Sequence, residues 1–155
     1  MDRAYLSLGS NMGDRGEHLA MGVEAVAGSD PYRVSMVYES EPVGGVDQDD
    51  FWNLVLELTT DASPRNLLER CRKAERLASR ERHTRWGPRT LDVDVLLVGE
   101  RTSGDPEILV PHPRMYERAF VLVPLHELAP ELVSAEQLEA ASGAVVALGT
   151  LESLR

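Results

Sequence analysis

A single α/β domain, with one sheet covered by helices, is what the sequence predicts, and three observations carry the prediction. Apolar residues recur at a spacing of two in some segments and at three to four in the segments between, so strands alternate with helices. The 155 residues fit one domain spanning 1–155, since domains usually run to about 100–150 residues. The chain is 43% hydrophobic, and a chain of this length buries about 68–70% of its unfolded surface, enough to fold without disulfides or a structural metal. No repeat, low-complexity tract or linker interrupts the pattern.

Residues 4–8 read as a short strand stopping at Gly9, Ser10 and Asn11, after which Leu19, Val23, Val26 and Ala27 recur at helical spacing. Gly28-Ser29-Asp30-Pro31 ends that helix. Residues 33–40 alternate as a strand, with Val34, Met36 and Tyr38 on one face. Residues 41–50 carry a proline, two glycines and several acids; loops longer than the usual ~4–6 residues are often functional. Residues 53–60 return to strand character. Ser63 is a capping residue and Pro64 suits the first helical position, opening a helix whose apolar stripe is Leu67, Leu68, Cys71, Ala74 and Ala78. Residues 79–90 are crowded with Arg80, Arg82, Arg85 and Arg89, and 91–98 read as a strand ending at Gly99. Beyond 108–110, residues 114–128 mix helical and strand signals around Pro124, and 134–141 form a short helix.

Charge narrows the function. Sixteen Lys and Arg against 26 Asp and Glu give a net charge of −10 and a pI near 4.8, which argues against general affinity for duplex DNA or anionic membrane. A site for a phosphorylated ligand must then gather positive charge locally, and arginine clusters are the feature to find. The single cysteine, Cys71, forms no intrachain disulfide. No apolar run approaches the ~20 residues that cross a bilayer, and the N-terminus lacks a basic segment followed by a long apolar one. A monomer in the cytoplasm, without nucleic-acid or membrane partners, is the expectation.

Asp92 and Asp94 are two apart in a strand, so both side chains leave one face with Cα atoms roughly 6.6 Å apart. Leu91, Val93 and Val95 face the other way, toward a core. Paired carboxylates on a rigid strand suit Mg²⁺, although an Asp-x-Asp pair is more often a solvated face. Arg85-Trp86-Gly87-Pro88-Arg89-Thr90 leads straight into that strand. Guanidinium groups bind phosphate oxygens bidentately, and Mg²⁺ held by a few carboxylates completes its shell with substrate phosphates. The combination describes a polyphosphate site; a surface network pairing the arginines with Asp92, Asp94, Glu75 and Glu81 is the plain alternative. His112, set between two prolines, and Arg118 are phosphate donors or surface residues. Phe51, Trp52, Trp86 and Phe120 either cap a core or stack on a flat ligand, and Asn53 either reads the edge of a heterocycle or ends the loop. No G-x-x-x-x-G-K-[ST] sequence is present, which excludes a P-loop.

The run Arg85-Trp86-Gly87-Pro88-Arg89-Thr90-Leu91-Asp92-Val93-Asp94 closely resembles the signature of the 6-hydroxymethyl-7,8-dihydropterin pyrophosphokinase family. The resemblance extends over residues 4–11, 38–53, 75–82 and 110–130, and the last twenty-five residues add little to it. It implies a ferredoxin-like α+β sandwich, mainly antiparallel, that moves pyrophosphate from the co-substrate ATP to the hydroxymethyl group of the pterin and leaves AMP. On the residues that match, it implies that Asp92 and Asp94 hold two Mg²⁺ ions. It implies catalytic roles for Arg80, Arg82 and Arg89 beside those aspartates, and ATP contacts from Glu75, Arg80, Arg82, Arg89, Val95, His112 and Arg118. For the pterin it implies stacking by Phe51 and Phe120, a hydrogen bond from Asn53, closure by Trp86, contact with Asp92, and a lining of Ser40, Pro42, Val43 and Gly44. The chain departs from the pattern at Phe51, where tyrosine is frequent, at Glu41, often proline, and at Pro113, where tyrosine is familiar.

Two other classes stay in view. One is a different Mg²⁺-dependent nucleotidyltransferase or phosphohydrolase using the same carboxylates. The other is a non-catalytic ferredoxin-like interaction domain whose acids and arginines are surface pairs.

Overall fold

The computed structural model describes residues 1–42, 49–79 and 90–155. Among them are the strands β1 (Asp2–Ser10), β2 (Tyr32–Val34), β3 (Val37–Ser40), β4 (Phe51–Thr60), β5 (Asp92–Val98) and β6 (Val145–Gly149). The helices are α1 (Arg15–Ala27), α2 (Pro64–Ser79), α3 (Ala119–Leu128) and α4 (Ala135–Ala140). The strands form one six-stranded antiparallel sheet in the order β5-β1-β4-β3-β6, with β2 also on β4. The class is α+β.

Strand alternation divides the core between two faces. Ala4, Leu6 and Leu8 of β1 and Leu54, Leu56 and Leu58 of β4 pack with Leu19, Val23 and Val26 of α1 and Leu67, Cys71 and Ala74 of α2. Tyr5 and Val55 point to the opposite face, where Met115, Val121, Leu122 and Leu125 cover them. Each fully buried leucine contributes about 1.5–3 kcal/mol. Burial also pushes the Cys71 thiol up, which keeps it protonated inside the first core.

The helix ends follow their signals. The Asp14 carboxylate accepts from the Glu17 N–H (3.1 Å), and the Ser63 hydroxyl from the Asn66 N–H (3.1 Å) ahead of Pro64. Gly28 takes φ +57 and donates its N–H to Glu24 O (3.0 Å), closing α1. Ser134 and Gln137 form a capping box at α4.

The structure departs from the pattern reading in several places. β1 runs on through Gly9 and Ser10, because both are paired on β4, opposite Asn53 and Trp52. The strand read at 33–40 is two strands. Val34 faces Leu56 but Tyr38 faces Asn53, so the β2–β3 chain spends one more residue than β4 over the same stretch. The irregularity sits at Ser35 and Met36. The Ser35 N–H donates to Val55 O (3.0 Å) while its side-chain Oγ accepts from the Val55 N–H (2.9 Å), and the Met36 N–H donates to the Glu127 carboxylate of α3 (3.1 Å). One added residue reverses the facing. Val34 and Val37, rather than Val34, Met36 and Tyr38, therefore reach the α1–α2 core, while the Tyr38 hydroxyl donates to Glu127 (2.7 Å) on the other side. Residues 114–128 resolve into a 3₁₀ turn (Met115–Glu117) and α3, which passes through Pro124 without breaking. β6 is an element the pattern reading missed.

Candidate active site

Of the described candidates, Ser40, Phe51, Asn53, Asp92 and Asp94 share the α3 face of the sheet. Gly9 in β1 pairs with Asp92 on one side and Asn53 on the other, and Asn53 pairs with Tyr38, so Asp92, Gly9, Asn53 and Tyr38 form one row across four strands. Asp94 and Ser7 form the next row. Leu91, Val93 and Val95 are buried on the opposite face, as the alternation requires. Asp94 is exposed and Asp92 partly so.

Asn53 is 3% exposed and its orientation is determined by its neighbours. Its Nδ2 donates to Ser40 Oγ (2.8 Å) and to Tyr38 O (3.1 Å), which turns Oδ1 toward Gly9. A Cβ on Gly9 would stand 3.1 Å from that oxygen, so the absent side chain is what admits the amide. Phe51 lies beside it, 3.6 Å from the same point. The chain entering Phe51 is held from the α1 side. Asn11 Nδ2 donates to Asp49 O (3.2 Å), Arg15 Nη1 donates to Asp50 O (2.8 Å), and the Arg15 guanidinium stacks 4.4 Å from the centre of the Trp52 ring.

On the far side of the aspartates, the His112 N–H donates to Leu96 O (3.0 Å). Its Nδ1 accepts from the Arg114 N–H (3.2 Å), which leaves the proton on Nε2 as a donor. Burial holds the imidazole below its ordinary pKa; Asp94 opposes the shift, while Arg118 and Arg114 add to it. Arg118 lies 5.6 Å from the centre of the Phe120 ring. Ser40, Pro42, Arg118 and Phe120, with Arg114 and Val145, border a cavity of about 760 Å³.

The structure brings together Ser40, Pro42, Phe51, Asn53, Asp92, Asp94, His112, Arg118 and Phe120 around this end of the sheet. Glu75 at the end of α2 reaches β5 from the side, its carboxylate accepting from the Val93 N–H (3.1 Å) between the two aspartates. The Val95 side chain is 3% exposed in the α1–α2 core, the facing its spacing predicts, so a nucleotide contact at this position would use its main chain. Val43, Gly44, Arg80, Arg82, Trp86 and Arg89 lie outside the described residues. Pattern reading missed Gly9, the Tyr38 carbonyl, Arg15, Arg114 and Val145. Gly9, Tyr38 and Val145 act through cross-strand neighbours, Arg15 through the Asp50 carbonyl and Arg114 through His112, and among these only Gly9 had a local signal, as a glycine in a strand.

Among the described residues, no group of three or more His, Cys, Asp and Glu side chains encloses an ion by itself. The Asp92 and Asp94 oxygens are a donor set for a hard cation that shares its shell with a ligand's oxygens. No helix among the described residues is long and apolar enough to cross a membrane.

Residues 5–130 match the model of the family described as 7,8-dihydro-6-hydroxymethylpterin-pyrophosphokinase (HPPK). The chain belongs to the HPPK family. A 2-amino-4-hydroxy-6-hydroxymethyldihydropteridine pyrophosphokinase of Bacillus subtilis (strain 168) is 43% identical over 132 residues, 83% of this chain and 79% of that protein. One of Methylorubrum extorquens is 46% identical over 136 residues, 86% of each chain, and one of Pseudomonas aeruginosa is 42% identical over 135 residues, 85% of this chain and 83% of that protein. Every candidate residue lies inside the HPPK match, whereas α4 and β6 lie beyond it.

Proposed function

We propose that this HPPK-family chain transfers pyrophosphate from ATP to the hydroxymethyl group of 6-hydroxymethyl-7,8-dihydropterin in folate biosynthesis, giving AMP and the pterin pyrophosphate. The observation that carries the reading is the cross-strand row that sets Asp92 beside Gly9 and Asn53, with Asp94 in the next row and Phe51 against Asn53 on the same sheet face. The signature, the family match and the relatives support it.

In this reading Asn53 presents Oδ1 to the pterin edge, Phe51 and Phe120 stack on its two faces, and Ser40, Pro42, Val43, Gly44 and Trp86 enclose it. His112 Nε2, Arg118 and Glu75 serve the nucleotide side, while Arg80, Arg82 and Arg89 neutralise the triphosphate. The pterin hydroxymethyl oxygen attacks the β-phosphorus in line. The bond from that phosphorus to the oxygen bridging to the α-phosphorus breaks, and AMP leaves with that oxygen. Asp92 and Asp94 would hold two Mg²⁺ ions, which when bound polarise the phosphoryl oxygens and neutralise charge on them. The protein's own part is alignment and charge compensation.

The finer fold reading is a ferredoxin-like sandwich, supported by the succession β1, α1, β2–β3, β4, α2, β5 and by the strand order β5-β1-β4-β3. The protein acts as a single-domain monomer in the cytoplasm, with ATP and the pterin as its partners. A product assay tests the function. AMP and pterin pyrophosphate formed in equal amounts, dependent on Mg²⁺, is the expected result; phosphate release without pterin points instead to a phosphohydrolase and overturns it.

A further inference from the structure

Beyond the segment that matches the family, the chain returns to touch both halves of the site. The Ser142 N–H donates to Glu117 O (2.9 Å) and the Ala119 N–H donates to Ser142 O (3.0 Å), so both residues flanking Arg118 are tied to one residue of the later segment. Ala119 opens α3, which has no side-chain cap, and the Ser142 carbonyl takes that place. Three residues on, Val145 pairs with Ser40 at the end of β3, and β6 continues to Gly149 opposite Val37. Residues 143–145 also border the cavity that Ser40, Arg118 and Phe120 line.

We infer that residues 142–145 are a positioning strap, which through its main chain holds Arg118 and Phe120 at a set separation from Ser40, the residue that orients Asn53, across the cavity they border. The inference rests on the pyrophosphokinase reading above. Stacking and charge neutralisation act only at correct separations, and a displacement of about 1 Å can cost roughly 100-fold in rate. Arg118 packs against the Phe120 ring, so a shift in the start of α3 moves a nucleotide contact and a pterin contact together. The strap adds little burial: Ser142 is exposed and Val146 is 63% exposed. Its hydrogen bonds and strand pairing are therefore what it supplies to the fold.

Ser142→Pro removes the donor to Glu117 O. The preceding Ala141 has φ −68 and ψ 137, the backbone that a residue before proline favours. The pterin KM is expected to rise about tenfold, with the Mg²⁺ dependence unchanged because the aspartates are on β5. Ser142→Ala keeps both main-chain groups and is expected to restore the wild-type KM. Loss of folded fraction alone would lower kcat and leave KM, so a wild-type pterin KM in Ser142→Pro overturns the inference. A second measurement needs no variant. By linkage, substrates that require the strap in place must tighten it, so amide exchange at Ser142 and Ala119 should slow about tenfold when the pterin and a nonhydrolysable ATP analogue bind. Unchanged exchange there overturns the inference whether or not Ser142→Pro folds. A wild-type chain that makes no AMP and pterin pyrophosphate refutes the reaction itself, and the strap's role with it.

Discussion

Gly9→Ala places one methyl group at the centre of the row formed by Asp92, Gly9, Asn53 and Tyr38. Gly9 is not among the positive-φ glycines, so alanine can adopt its backbone and the effect is one of space. The new Cβ would stand 3.6 Å from Phe51 Cδ1 and 3.8 Å from Trp52 O, ordinary contacts, but 3.1 Å from Asn53 Oδ1. Asn53 must therefore yield by a few tenths of an ångström. It is held by Nδ2 bonds to Ser40 Oγ (2.8 Å) and Tyr38 O (3.1 Å), and yielding weakens one of them. A net hydrogen bond contributes about 1 kcal/mol and overpacking costs about 1–3 kcal/mol, so a loss of about 1–2 kcal/mol is expected. At ~2–4 °C per kcal/mol for a domain of this size, Tm falls by about 2–8 °C. The displaced group is the proposed pterin ligand, so the pterin KM should rise about tenfold while the ATP KM stays within about twofold. Steady-state kinetics with each substrate varied, alongside thermal melts, read both effects. Gly104→Ala, where nothing lies within 4 Å of the added Cβ, is the control. A Gly9→Ala enzyme with a lowered Tm and a wild-type pterin KM would refute the placing of Asn53 against the substrate.

Two further outcomes are expected. Asp94→Asn removes an exposed charge that packs against no core; Tm should stay within about 2 °C while kcat falls by about 100- to 1,000-fold, the range for loss of an electrostatic stabiliser. Near wild-type turnover would remove the metal assignment. Glu57 is a buried carboxylate, and bidentate donation from Arg33 (2.9 Å each) holds it below the usual carboxylate range, helped by the Tyr5 hydroxyl, itself pushed up to about 12 chiefly by burial. A lowered folded-state pKa contributes stability that is present above the unfolded value of about 4.3 and lost as pH falls through the folded one. Arg33 is 59% exposed, so the contribution is discounted for solvent screening to about 1–2 kcal/mol. Urea unfolding of Glu57→Gln should show that deficit at pH 7 and a gap to wild type that narrows as pH falls below the unfolded-state carboxylate value of about 4.3. A constant gap would refute the linkage.

The helices α1, α2 and α4 and the strands β1, β4 and β5 were legible because their signals are local. Ser63 caps the helix it precedes, Leu19, Val23 and Val26 repeat at helical spacing, and Ala4, Leu6 and Leu8 alternate against a buried face. The aspartate pair was legible for the same reason: a spacing of two in a strand whose other face is buried leaves both side chains on one side. The split at Ser35 and Met36 was not. Its cause is the partner strand and Glu127, which lies about ninety residues away in sequence and accepts from the Met36 N–H. β6 escaped because Val145, Val146 and Ala147 show no alternation, and an edge strand bordered by solvent imposes none. Val95 was legible for the same reason as the aspartates: a spacing of one from the carboxylate pair turns its side chain to the core, where it is 3% exposed.

By itself the sequence determined the family signature and the residue types it carries: two carboxylates on a strand, arginines before them in the chain and a sparse set of aromatics. These follow from residue type and short-range spacing, which the backbone geometry of a strand or helix converts directly into facing. Only the tertiary structure decided which residues stand side by side. Gly9 admits Asn53, Tyr38 and Ser40 orient its amide, and Ser142 ties the flanks of Arg118, each through a partner in another strand or segment. Register is a non-local quantity, and one inserted residue reverses every side chain beyond it, so contacts across strands form only when the sheet closes.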